Sequence, residues 1–129
     1  GIIAYNTKKV KDPITSYSDL WKPEFKNSLV VLDDVRAIVG ITLKSMGKSM
    51  SETDPAVLEE AQKKLKTLMP NIKSFDSDSP KTMLINGEAK AGYVWGAEAA
   101  LAARENKDIR AVIPKEGLWL WLDSFVIPA

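Results

Sequence analysis

Apolar positions along this chain follow two alternating rhythms, one with a period near two and one near 3.6. Gly1–Asn6 is short, β-branched and aromatic and closes at Asn6-Thr7, which predicts a strand. Ser18-Asp19-Leu20-Trp21 supplies a cap and a brief helical turn that Pro23 limits. Leu29–Leu32 is a continuous apolar run, expected of a central strand covered on both faces, and it stops at Asp33-Asp34. From Val35 to Met46, Ile38, Ile41, Thr42 and Leu43 recur at helical spacing, with Gly47 suited to the position after the cap. Asp54-Pro55 starts a second helix whose face is Leu58, Ala61, Leu65 and Leu68, and Pro70 ends it. Asn71–Phe75 is expected as a strand, Ser79-Pro80 to Asn86-Gly87 as a helix, and Ala89–Trp95 as a strand. Ala97–Glu105 follows as an Ala-rich helix, then Ile109–Ile113 and Leu118–Ile127 as strand-like runs. This alternation predicts one α/β domain over residues 1–129, with a largely parallel central sheet and flanking helices.

Composition removes several function classes. The 129 residues carry 18 basic and 17 acidic side chains, a net charge of +1, and 45% hydrophobic residues. That balance offers no field to hold nucleic acid, so no nucleic-acid partner is expected. With no cysteine and no histidine, zinc sites built on those ligands, thiol nucleophiles and imidazole chemistry are excluded. No cofactor and no metal site is expected. The chain begins at Gly1 without an initiating Met and ends at Ala129 straight after a strand-like run. Both ends are expected to be cuts in a longer polypeptide.

The candidate chemistry gathers at strand ends. Read as a strand, Leu118, Leu120 and Leu122 share one face, the expected core face, and Trp119, Trp121 and Asp123 share the other. Indoles beside a carboxylate suit a cation with an alkyl body: the rings attract the ammonium and cover the methylenes, and the acid accepts a charge-assisted hydrogen bond. Core packing would use the same tryptophans. Asp33-Asp34 marks another strand end, where ligands collect in open α/β sheets and where an Asp equally caps a helix. Trp95-Gly96-Ala97-Glu98 and Ser77-Asp78-Ser79-Pro80 are two more such junctions, each with a capping or dipole role as the alternative. Acids and indoles at several strand ends, with no basic residue among them, select for a cationic ligand. A carboxylate-dependent hydrolase drawing on Asp34, Glu98 and Asp123 remains open at this level, as does a lobe for another organic cation or a metal.

The segments SYSDLWKPEFKNSLVVLDDVR, TDP with its helix, LKTLMPNIKSFDSDSP, INGEAKAGYVWGAEA and PKEGLWLWLDSFVIPA, in that order, resemble the second lobe of polyamine-binding proteins of ABC transporters. The resemblance implies a two-lobed, Venus-flytrap fold of the type II periplasmic class, with this lobe inserted between two hinge crossings. It implies an extracytoplasmic binding protein, not an enzyme, with spermidine or putrescine as ligand and a membrane permease as partner. The isolated lobe is expected to be monomeric. Position by position, Asp34 and Asp123 correspond to amine-binding acids and Trp95 and Trp121 to aromatics that stack on the alkyl chain. Ser77 and Glu98 correspond to positions used in some putrescine-binding members. Ala37 stands where many members carry a Glu, and Glu98 is the expected compensation; the resemblance assigns Trp119 no ligand contact, and packing or cleft lining is expected of it.

Overall fold

The computed structural model describes residues 1–128. Five strands form one sheet in the order β3-β2-β4-β1-β5, with β1 Ile2–Asn6, β2 Leu29–Val31, β3 Ile72–Phe75, β4 Ala91–Val94 and β5 Ile109–Val112. β2 pairs parallel with β3 and β4, whereas β1 lies antiparallel to both β4 and β5. Four strands therefore run one way and β1 alone runs the other, so the sheet is mixed and the expected parallel arrangement holds around β2. The β2–β4 contact is tight: a Cβ at Gly92 would lie 2.5 Å from the Val30 carbonyl oxygen. Only glycine fits there.

Helices α1 Val35–Ser45 and α2 Pro55–Leu68 cover one face of the sheet, and α3 Pro80–Ile85 and α4 Gly96–Glu105 cover the other. Strand alternation dictates the division. Ile3, Tyr5, Leu29, Val31 and Tyr93 point into a core shared with Ala37, Ile41 and Leu68, while Ala4, Val30 and Val94 meet Leu84, Ala99 and Ala102. The helix ends follow the sequence cues. Asp34 and Asp54 cap α1 and α2 through their side chains, Pro55 opens α2, and Gly47 takes φ 73° just past the Met46 cap of α1. At α3 the capping differs from expectation. Ser79 makes no side-chain cap bond, and Asp76 Oδ1 instead accepts the N–H groups of Asp78 and Ser79 at 2.9 and 3.0 Å.

Residues 118–128 form no strand. A strand needs a ladder partner, and residues 118–128 join none of the five-stranded sheet's pairings. Their leucines are therefore not core: Leu120 is 80% exposed and Leu122 90%. The start of the segment is nonetheless fixed. Lys115 N–H donates to the Thr15 carbonyl at 2.9 Å, Tyr17 Oη donates to the Gly117 carbonyl at 3.1 Å, and Ser16 Oγ donates to the Glu116 carboxylate. From that anchorage the chain passes across the ends of β2 and β4.

Candidate functional site at the carboxyl ends of the parallel strands

Three neighbouring parallel strands deliver the site. Val31 of β2 stands level with Phe75 of β3 and Tyr93 of β4, so the residues just beyond each strand converge. Beyond β2 comes Asp34, beyond β3 Asp76-Ser77, and beyond β4 Trp95. Two hydrogen bonds tie these ends together: Asp76 N–H to the Val31 carbonyl and Trp95 Nε1–H to the Ser77 carbonyl, both 2.9 Å.

Across these ends lies a depression of about 340 Å³ lined by Asp34, Arg36, Trp95, Trp119, Trp121, Leu122 and Asp123. The indoles form a contiguous wall. Trp95 and Trp121 meet edge-to-face at 5.1 Å between centroids, and Trp119 and Trp121 lie tilted at 5.3 Å. Trp121 Nε1–H donates to Asp123 Oδ2 at 3.2 Å, fixing the acid beside the rings. Asp34 serves two purposes. Its Oδ1 accepts the N–H groups of Arg36 and Ala37 at 2.8 and 3.2 Å, closing the N-terminus of α1, while the residue lines the depression. Asp33 points to solvent. Beneath, Tyr93 packs edge-on against Tyr17 at 5.9 Å. Burial first, and then the charges of Tyr17 and Asp34, hold the Tyr93 hydroxyl well above its ordinary ionisation range. For Tyr17, burial and the Glu116 carboxylate push the hydroxyl up to about 12.

Of the expected site residues, the structure brings Asp34, Trp95, Trp121 and Asp123 together. Ser77 enters through its backbone carbonyl; its Oγ is buried and has no partner among the described residues. Glu98 faces elsewhere: Lys81 Nζ donates to both of its oxygens at 3.0 and 3.2 Å, and the two side chains are only 24% and 14% exposed. A lysine already neutralises the acid expected to compensate for Ala37. It is also one of the three carboxylates that a hydrolase would have drawn on. The expectation of a site without basic residues is likewise corrected, because Arg36 lines the depression beside Asp34. Arg36 lies two residues past Asp34 in the first turn of α1, so its presence was visible in the sequence once that helix start was fixed. Trp119 packs against the core and also lines the cleft, joining both of the roles open to it. Among the described residues no group of three or more His, Cys, Asp or Glu side chains is gathered as a metal ion requires. No helix of the described residues is long and apolar enough to cross a membrane.

A sheet with helices on both faces and a cleft at its strand ends is an open α/β architecture of the kind that binds ligands at the carboxyl ends of its strands. The chain belongs to the bacterial extracellular solute-binding protein family, whose model matches residues 1–129. Membership places it among binding proteins and not among enzymes. Within that family it is similar to the spermidine/putrescine-binding periplasmic protein 1 of Haemophilus influenzae, at 41% identity over 98% of this chain and 36% of the relative. It is 45% identical to the spermidine/putrescine-binding periplasmic protein of Salmonella typhimurium over 90% of this chain and 33% of that protein. The solved spermidine/putrescine ABC transporter substrate-binding protein PotD of Streptococcus pneumoniae superposes with a TM-score of 0.86 at 36% identity, covering 89% of this chain and 36% of that one. The chain thus spans about a third of the length of the relatives it matches.

Proposed function

We propose that this chain is one lobe of a polyamine-binding protein of an ABC uptake system and supplies half of its ligand cleft. The observation that carries the reading is the joining of two carboxylates, Asp34 and Asp123, to a wall of three indoles in one depression. Alkyl amines are protonated at neutral pH, as lysine is. Asp34 and Asp123 accept hydrogen bonds from the ammonium groups, and Trp95 and Trp121 cover the methylenes between them. No bond is made or broken. Ligand binding bridges this lobe to its counterpart, and the closed form is presented to a membrane permease. The names of the relatives, spermidine/putrescine-binding in each case, support the same ligand class.

Calorimetric titration of the full-length protein with putrescine and spermidine tests the reading. Asp123→Asn and Trp121→Ala should each weaken binding by about 2 kcal/mol, roughly thirtyfold. Unchanged polyamine affinity in Asp123→Asn would point to another cargo. The chain alone should bind polyamines far more weakly than the full-length protein, and micromolar or tighter binding by it alone would contradict the half-site.

A further inference from the structure

We propose that Trp119 is a positioning residue of the cleft: it holds the Trp121 indole, and through it the Asp123 carboxylate, where an amine meets them. The inference rests on the polyamine reading and deepens it. The backbone around Trp121 gives little support. Residues 118–128 join no ladder among the described residues, and the last fixed point before them is Gly117, whose carbonyl accepts from Tyr17 Oη at 3.1 Å. Four residues further on, Trp121 is 45% exposed, between two leucines that are more exposed still. Side-chain contacts must therefore set its place.

Two indoles supply them. Trp95 meets Trp121 edge-to-face at 5.1 Å and is itself fixed by its Nε1–H bond to the Ser77 carbonyl. Trp119 lies tilted against Trp121 at 5.3 Å and packs on the core built from Tyr17, Ala37, Ile41 and Tyr93. Each is tied to the body of the lobe, and Trp121 leans on both. Asp123 depends on the same arrangement, because Trp121 Nε1–H donates to its Oδ2 at 3.2 Å. A line of contacts thus runs from the core through Trp119 and Trp121 to a carboxylate of the cleft. Without the Trp119 ring, Trp121 and Asp123 would be presented in several places, and binding would bear the cost of ordering them.

The experiment joins calorimetry with putrescine to ultraviolet circular dichroism on the full-length protein. Indoles in close, angled contact couple their transitions, so the signal that Trp121→Ala removes reports where Trp121 sits. Trp119→Leu keeps an apolar side chain on the core and removes the ring. It should weaken putrescine about tenfold and lose the Trp95–Trp121 part of the signal, the scale of an aromatic pair contact. Trp119→Phe restores a ring and should recover binding to within about threefold of the unsubstituted protein, with that part of the signal retained. Because Trp119 acts through Trp121, adding Trp119→Leu to Trp121→Ala should weaken binding by less than about twofold further. Unchanged affinity in Trp119→Leu, a loss as large in Trp119→Phe, or weakened binding with the Trp95–Trp121 signal intact would overturn the proposal. So would a full further loss in the double variant, which would make Trp119 a direct ligand contact; all of these leave the cleft assignment standing. An unsubstituted protein that binds neither putrescine nor spermidine, or a Trp121→Ala variant that binds as well as it does, would overturn the cleft assignment and this inference with it.

Discussion

Asp34 caps α1 through Oδ1, and under the proposed function its charge also meets an ammonium, so the two roles can be measured apart. Asn keeps an acceptor for the N–H groups of Arg36 and Ala37 but removes the charge. Asp34→Asn should therefore leave folding stability within about 0.5 kcal/mol while lowering polyamine affinity; Asp34→Ala should also lose about 1 kcal/mol of stability with the cap. Denaturant titration beside calorimetry separates the two effects. Glu98 gives the opposite pattern. Glu98→Gln leaves the largely buried Lys81 ammonium without its acid, so stability should fall by about 1–3 kcal/mol with affinity little changed. A loss of affinity without a loss of stability would return Glu98 to the cleft. At this scale residue type was legible in the sequence and pairing was not. Asp34, Trp95, Trp121 and Asp123 were candidates because acids beside indoles suit a cation, and the fold gathers them in one depression. The partnership of Lys81 with Glu98 is a contact across seventeen residues between α3 and α4, and no local pattern announces it.

At the scale of elements, helices were read more completely than the sheet. Asp54-Pro55, Gly47 and Pro70 mark helix limits because capping and the missing proline N–H act locally. Strand direction depends on partners far away in sequence, so the reversed β1 could not be inferred from its own residues. The run from Leu118 to Leu122 shows the same limit: without a ladder the two expected faces do not separate, so Leu122 lines the depression beside Trp119, Trp121 and Asp123 while it and Leu120 are largely exposed. The β2–β4 pairing offers a direct check. Gly92→Ala would set a methyl against the Val30 carbonyl inside the sheet and should cost about 2–3 kcal/mol, measured by denaturant unfolding. A neutral result would mean that β2 and β4 are not so closely apposed.

For the whole molecule, two linked features hold the cleft in place: the sheet that aligns the three strand ends and the Thr15–Tyr17 anchorage of residues 115–117. The second makes stability sensitive to alkali. Folded Tyr17 ionises near about 12 against an ordinary value of 10.0, so the unfolded chain releases that proton first. Its contribution is complete below pH 10 and is lost as pH rises toward 12. Unfolding free energy should decline across that window, and Tyr17→Phe should flatten the decline; an unaltered slope would contradict the burial assigned to this hydroxyl. The central claim concerns where the amine sits, and the most direct measurement is a crystal structure of the full-length protein with putrescine bound. The account predicts amine nitrogens within hydrogen-bonding distance of Asp34 or Asp123 and methylenes against Trp95 and Trp121. A ligand seated away from these four side chains would contradict it.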